Sequence, residues 1–484
     1  MTTIKLDPGA ALLLDALHGA GHAAYAVGGC VRDSLLGLDP HDWDLCTSAR
    51  PEQVMALFGE EKCIPTGLQH GTVTVKQGGR LYETTTFRTE GAYSDGRHPD
   101  AVCFVPDVRE DLARRDFTIN AMAYSAEEGL IDPFGGRDDL AAHLVRAVGE
   151  PERRFEEDAL RILRLYRFAA RFGFAIDPAT GAAARALGPH LDCVSAERIQ
   201  EELLKLLAAP RPGSYLESAV LAVVLPELEP EKQPERFAEL CRTIDRIEPT
   251  AENVPARLAA LLCPLGEAGA RKALRKLKCS NALTDEVTAL EREAGGGAGS
   301  FLLGHEFELR HPADALCLER HSHPAGRCPN SNSLFPPQAA VVAVAGHSIA
   351  RPIACGNRVP PQWTVLGETP GTPNTTLTVQ AKRLLGRYEL PTIQRMTALC
   401  SARHPEQAVA FAALRAEAEQ LTAENACCRV SQLAVNGRDL MAAGVRPGPG
   451  LRQVLNALLE AVITGQTPNE KDALLAAAAQ FSAS

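Results

Sequence analysis

The run Gly28-Gly29-Cys30-Val31-Arg32-Asp33 and, nine positions beyond it, Asp42-Trp43-Asp44 carry the architecture of this chain. On a strand, residues i and i+2 share one face, so Asp42 and Asp44 lie side by side with Trp43 turned away. Two carboxylates held that way repel unless a cation lies between them. Two Mg²⁺ ions clamped so can activate an attacking hydroxyl and stabilise a leaving pyrophosphate. Upstream, Tyr25-Ala26-Val27 reads as a strand running into two glycines and a helix start, where backbone N–H groups can approach an anion. Arg32 can add a charge-assisted bond to phosphate. Each signal alone is weak: most Asp-x-Asp pairs are solvated acids, and Gly-Gly is common in plain β-to-α turns. No Gly-Lys-Ser/Thr follows, so this is not a Walker A loop, nor is it a GxGxxG fingerprint.

The flanking sequence keeps the pattern of a small α/β domain over residues 1–145. Thr72-Val73-Thr74-Val75, then Gly78-Gly79, then Leu81 to Phe87 predicts a hairpin, because Gly-Gly supplies the positive φ of a tight turn. Helices are expected over Val31–Leu36 and Pro51–Phe58. Arg114-Arg115-Asp116-Phe117-Thr118-Ile119-Asn120-Ala121 sets two arginines beside an acid at an expected helix start, suited to a triphosphate or ribose. An ordinary charged helix start would read the same way. Phe155–Phe172 reads as one helix, with Leu160, Leu163, Tyr166 and Ala170 near a 3.6 period. Its ionic residues recur every third position, at Asp158, Arg161, Arg164 and Arg167, so the row winds by about −60° per step. Asp158 and Arg161 are then neighbours, and Arg167 lies nearly opposite Asp158. An Asp and an Arg can present acceptor and donors to the edge of a base; a salt-bridged helix face is the plainer reading.

The 484 residues suggest about two to four domains. With 45% hydrophobic and 23% charged residues, the chain has material for a core, which argues against wholesale disorder. A net charge of −10 rules out a uniformly basic nucleic-acid coat but not a local basic groove. No apolar run reaches membrane-spanning length, and the first residues carry no secretory pattern. Fourteen scattered cysteines with no CxxC read as free thiols in a cytosolic protein rather than a zinc ribbon or disulfide scaffold. Helical patterning resumes over Ala196–Leu207, Tyr215–Leu225, Pro255–Leu262 and Gln407–Leu421. Residues 321–378 fit neither pattern: nine prolines in 58 residues, no Lys or Asp, and Glu368 as the one acid. That predicts a poorly packed linker or a local reading-frame error. A metal site at His321, His323 and Cys328 lacks a second ligand pair.

Taken together, GGxVRD, the DxD pair, Thr66-Gly67-Leu68-Gln69-His70-Gly71-Thr72, RRDFTINAMA, Asp132-Pro133-Phe134-Gly135-Gly136 and EDALRxLRxxRFAARFGF resemble the class II tRNA nucleotidyltransferases, the CCA-adding enzymes. The motifs occur in family order over roughly residues 20–180. A weaker likeness runs through Val435-Asn436-Gly437-Arg438-Asp439-Leu440 and fails over 321–378. The resemblance implies an α/β polymerase-β-like nucleotidyltransferase head over 1–145, followed by an all-α remainder. That remainder would be a base-recognising neck over 146–210, a tRNA-binding body over 211–320 and a tail over 379–484. It assigns Asp42 and Asp44 to catalytic metals, with Mg²⁺ as cofactor. Gly29, Arg32, Arg115, Asp158, Arg161, Arg164 and Arg167 fall to the nucleotide, and Asp158 with Arg161 would read the Watson–Crick edges of CTP and ATP. Glu83, on the second hairpin strand, is a candidate third carboxylate, although a strand Glu more often faces solvent. Arg271, Lys272, Arg275, Lys276 and Lys278 form a basic helical cluster, either a tRNA backbone contact or a solvated face.

The expected activity is addition of CCA to the 3′ end of tRNA. Poly(A) polymerases share the head motifs, and an A-adding-only relative would also need the region Arg88-Thr89-Glu90-Gly91-Ala92-Tyr93-Ser94-Asp95-Gly96-Arg97, which resembles the flexible loop of full CCA enzymes. A non-catalytic RNA-binding module would be marked by lost carboxylates, and both are present. Oligomeric state is not legible.

Overall fold

The computed structural model describes residues 3–91, 102–294 and 375–481. Most of the stretch 321–378, with His321, His323 and Cys328, and the loop from residue 92 to 101 lie outside the described residues.

Strands comprise β1 (Ala24–Val27), β2 (Leu45–Thr47), β3 (Cys63–Gly67), β4 (Thr72–Gln77), β5 (Arg80–Thr86), β6 (Arg88–Glu90), β7 (Val102–Phe104), β8 (Ala123–Ser125), β9 (Gly129–Ile131), β10 (Leu144–Val145) and β11 (Ala175–Ile176). Seven of them form one sheet in the order β3-β4-β5-β2-β1-β8-β9. The hairpin β4–β5 forms as its sequence predicts, with Gly78 at φ 58° and Gly79 at φ 80°. β2 runs parallel to β5 with Leu45 opposite Thr84, so Asp44, just before β2, neighbours Glu83 in the middle of β5. Every residue of β1 is buried: Ala24 and Ala26 enter one core, Tyr25 and Val27 the other. The sheet is therefore covered on both faces at β1, while β3 and β5 keep exposed residues, Glu83 among them.

The head helices are α1 (Pro8–Gly19), α2 (Gly29–Leu35), α3 (Pro51–Phe58), α4 (Val108–Ala113) and α5 (Gly136–Ala141). Next come α6 (Pro151–Glu157), α7 (Leu160–Phe172), α8 (Pro178–Ala186) and α9 (Ala196–Leu207). They are followed by α10 (Ser218–Val224), α11 (Pro234–Arg246), α12 (Val254–Leu262), α13 (Gly266–Lys276) and α14 (Asn281–Ala294). The described chain closes with α15 (Thr375–Arg387), α16 (Leu390–Arg403), α17 (Ala408–Ala423), α18 (Gly437–Ala442), α19 (Pro449–Ile463) and α20 (Lys471–Phe481). This is the mixed-sheet head that the motifs imply, followed by a mostly helical remainder in which the short strand β11 is the exception, among the described residues, to the expected all-α pattern.

Two local expectations are corrected. Phe155–Phe172 is not one helix: it breaks at Asp158, which is extended at φ −150° and ψ 101°. The Asp158 carboxylate accepts the Leu160 N–H at 3.1 Å, the local competition with helix that short acids offer. Arg114 and Arg115 stand at the end of α4, not at a helix start; the motif beyond them contains one 3₁₀ turn, Thr118–Asn120. Packing is continuous across the expected domain cuts. β10 pairs with β11, and α12 and α14 pack on α16. One hydrophobic core runs from Ile4 to Cys428, and a separate small one spans Val435 to Ala478. Among the described residues no helix is long and apolar enough to cross a membrane.

Candidate active site

A cleft of about 460 Å³ opens where the C-terminal edge of the head meets α7 and α9. Gly28, Gly29, Arg32, Asp44, Arg115, Asp158, Arg161, Arg164 and Arg167 all line it. The sequence thus named most of its wall. Arg114, Arg171 and Arg198 bring the arginines to eight against three aspartates, so a chain of net charge −10 concentrates positive charge here. Such a cleft is built for a polyanion.

Gly28, rather than Gly29, is the glycine that the geometry demands. It sits at φ 77°, and a Cβ there would lie 2.8 Å from Arg115 Nη1. A Cβ on Gly29 would meet nothing closer than 3.6 Å. Arg115 is held by Asp111 at 3.4 Å, and the same buried carboxylate takes Arg114 at 2.9 Å. Arg32 is buried and already engaged: Nε donates to Asp33 at 2.8 Å and Nη1 donates to Asn120. Its guanidinium lies 5.2 and 4.9 Å from the ring centroids of Phe168 and Phe172. Arg32 therefore also joins head to α7, a task its motif did not reveal.

Asp44 faces the cleft from the start of β2. Crowding by protein and the charges of Glu83 and Asp42, offset in part by Arg115, push its pKa up to about 6. Trp43 is buried between the two exposed carboxylates, but the three residues are not in a strand as expected: they form the irregular segment that leads into β2 at Leu45. Asp42 is open to solvent beside His41 at 3.0 Å and lies just outside the cleft wall. Glu83 is exposed, and among the described residues no three His, Cys, Asp or Glu side chains converge as a preformed metal cage. The pair still fits a hard divalent cation: two carboxylate donors, one of them in negative surroundings that Arg115 offsets only in part.

Asp158 and Arg161 share the cleft but not each other's side chains. Arg198 of α9 donates to both Asp158 oxygens, at 3.2 and 2.8 Å. Arg161 donates to Glu157 at 2.8 Å and to the carbonyls of Arg154 and Arg114 at 3.2 and 3.1 Å. Because Asp158 is outside α7, Arg167 is not opposite it; both line one wall. Arg164 grips buried Asp116 at 2.9 and 2.7 Å, and Arg167 pairs with Glu202 at 2.6 Å. Burial raises the Asp116 pKa, but Arg164 and Asn120 more than offset it and pull it to about 2. Asp111, Asp116, Arg198 and Glu202 were missed as site residues. Asp116 stood inside a quoted motif; Arg198 and Glu202 showed only as charges on an amphipathic helix.

Of the basic cluster on α13, Arg271 is committed to Asp285 at 3.0 Å and Thr288 at 2.8 Å. Lys272, Arg275, Lys276 and Lys278 are exposed.

Sheet order, paired acids and arginine cleft define a nucleotidyltransferase of the polymerase-β-like class. Family models agree: a Poly A polymerase head domain matches residues 24–146, an RNA and SrmB-binding site of polymerase A matches 173–232, and tRNA nucleotidyltransferase domain 2 matches 382–478. The CCA-adding enzyme of Lactiplantibacillus plantarum is 33% identical over 466 residues, 96% of this chain and 93% of that one. That of Leuconostoc citreum is 45% identical over 257 residues, which is 53% of this chain and less than two thirds, 63%, of that relative. The crystal structure of the Bacillus stearothermophilus CCA-adding enzyme in complex with CTP is 30% identical, covers 98% of both chains and superposes with a TM-score of 0.68. The chain belongs to the CCA-adding enzyme family.

Proposed function

We propose that this chain adds CCA to the 3′ end of tRNA, taking CTP and ATP as substrates and releasing pyrophosphate. The observation that carries the reading is one cleft whose lining brings Asp44 together with Asp158, Arg161 and seven other arginines. Asp42 and Asp44 would hold Mg²⁺; bound there, the metal supplies charge neutralisation at the triphosphate and acidifies the attacking hydroxyl. Arg115, Arg164 and Arg167 face the triphosphate and ribose, and Gly28 and Gly29 let the backbone approach it closely. Asp158 and Arg161 read the base. Cytosine and adenine each show an amino donor beside a ring-nitrogen acceptor, whereas uracil and guanine place a carbonyl where the amino group should be. The exposed cations of α13 contact the tRNA backbone. The domains run as head 1–145, neck 146–210, body 211–320 and tail 379–484, with the tail's first helices packed into the body core.

The supporting experiment incubates tRNA transcripts ending before CC, after CC and after CCA with CTP and ATP separately. CTP incorporation on the first, ATP on the second and none on the third is expected. Because the head model is shared with poly(A) polymerases, repeated ATP addition to the third transcript would favour that activity instead. ATP addition without CTP addition would mark an A-adding enzyme.

A further inference from the structure

We propose that Arg198 is a specificity-determining positioning residue: its guanidinium sets the plane of the Asp158 carboxylate, so that Asp158 offers one directed acceptor to the base. This rests on the reading of Asp158 as a base-reading group. Asp158 lies between α6 and α7 in extended backbone, so no helix packing fixes its side chain. The χ2 torsion of a free aspartate is broad and roughly two-fold. Arg198 removes that freedom: Nη1 donates to Oδ1 at 3.2 Å and Nη2 to Oδ2 at 2.8 Å. The two parallel bonds hold carboxylate and guanidinium in one plane.

A carboxylate has about four lone-pair sites. On Oδ1, both are taken, by Arg198 and by the Leu160 N–H at 3.1 Å. On Oδ2, Arg198 takes one. The remaining Oδ2 site is the acceptor left for the cleft that both residues line. One fixed acceptor suits one amino N–H and opposes a carbonyl. A freely turning carboxylate could recruit water and tolerate either.

Arg198 is itself fixed. Helix α9 packs on α7 through buried Ile199, Leu203 and Leu206. One turn on, buried Glu202 pairs with Arg167 at 2.6 Å. Helix α9 thus holds both Asp158 and Arg167. Near Asp158 in sequence, the Leu160 N–H reaches Oδ1 alone, and Arg154 and Arg161 are committed to Glu157. Both members of the pair are largely buried, Arg198 20% and Asp158 16% exposed at the side chain. Lysine would keep the charge but lose the planar fork.

The test is single-turnover incorporation of all four triphosphates by wild type, Arg198→Lys and Asp158→Ala, on tRNA ending before CC and after CC, with thermal melting of each protein. Arg198→Lys is expected to lower the CTP-over-UTP and ATP-over-GTP ratios of kcat/KM about tenfold or more, the scale of one lost directed hydrogen bond. Its melting temperature should stay near wild type. If Asp158→Ala loses discrimination while Arg198→Lys keeps the wild-type ratios, or lowers all four nucleotides alike, the positioning role is overturned and base reading by Asp158 stands. If Asp158→Ala itself discriminates normally, the base is read elsewhere and both readings fall.

Discussion

Asp44 shows how a single residue is held against its own comfort. Its carboxyl is pushed up to about 6 by crowding and by Glu83 and Asp42. Because the folded value lies above the unfolded one near 4, ionisation is disfavoured in the fold, and the charge costs stability at neutral pH. Asp44→Ala should therefore leave the melting temperature at pH 7.5 unchanged or slightly raised. Nucleotide incorporation with Mg²⁺ should fall about a thousandfold or more if Asp44 helps hold the metal. Wild-type incorporation by the variant would end that assignment. Asp42 is the milder case structurally, since its side chain is 85% exposed. That a buried Trp43 separates Asp42 from Asp44 was legible, because it follows from their polarity, although the three residues precede β2 rather than lie in it. Which of the two glycines is required was not, because it rests on the φ of 77° that the folded turn gives Gly28, with the Arg115 guanidinium 2.8 Å from where a Cβ would lie.

Between elements, buried ionic contacts decide how head, neck and body meet. Asp116 joins the head to α7 through Arg164. Its folded pKa of about 2 lies below the unfolded value of 3.8. The contribution is fully present above the unfolded pKa and is lost as pH falls through the folded one. A shift of that size is worth about 2–3 kcal/mol. Asp116→Asn should thus be destabilised at pH 7, and its deficit against wild type should shrink between pH 4 and pH 2, read by urea unfolding across that range. A deficit constant with pH would show that the ion pair does not stabilise the joint. Arg257 on α12 is fully buried with no acid among its bonded partners. It donates to the carbonyls of Leu207 and Ala209 at the end of α9, and to those of Pro210 and Ile247. Arg257→Leu strands those carbonyls in the core and should cost about 3–5 kcal/mol, each unpaired buried group contributing about 1–3. Denaturant midpoints measure it, and a loss under about 1 kcal/mol would mean that water or neighbours satisfy them. Neither joint could be drawn from the sequence, since each helix pattern shows which face is apolar but not which distant carbonyl meets it.

Across the whole molecule, charge is sorted rather than balanced. The net charge of −10 coexists with an arginine-lined cleft and with exposed Lys272, Arg275 and Lys276 on α13 and Lys278 just beyond it. If that helix contacts the tRNA backbone, Arg275→Ala with Lys276→Ala should weaken tRNA binding. The slope of log K against log salt should also drop by about 1 per lost phosphate contact, up to about 2. Unchanged affinity and slope would return the cluster to a solvated helix face. CTP incorporation into a short acceptor-stem substrate that does not reach α13 serves as the internal control for an intact cleft.

The sequence by itself determined what nearest neighbours dictate. The β4–β5 hairpin follows from paired glycines, and α3 and α9 form at the boundaries expected. It also contained, in motif order, nearly every residue that lines the cleft. Only the tertiary structure decided how those residues are spent. Asp158 leaves the helix because its carboxylate finds Leu160 N–H and an arginine 40 positions on, and Arg32 is drawn into Asn120 88 positions away. Arg164 turns to Asp116 rather than to its own helix. Local pattern sets which groups are charged and which face they share. Burial makes an unpaired charge intolerable, and which partner relieves it depends on where the fold has placed residues that the sequence keeps far apart.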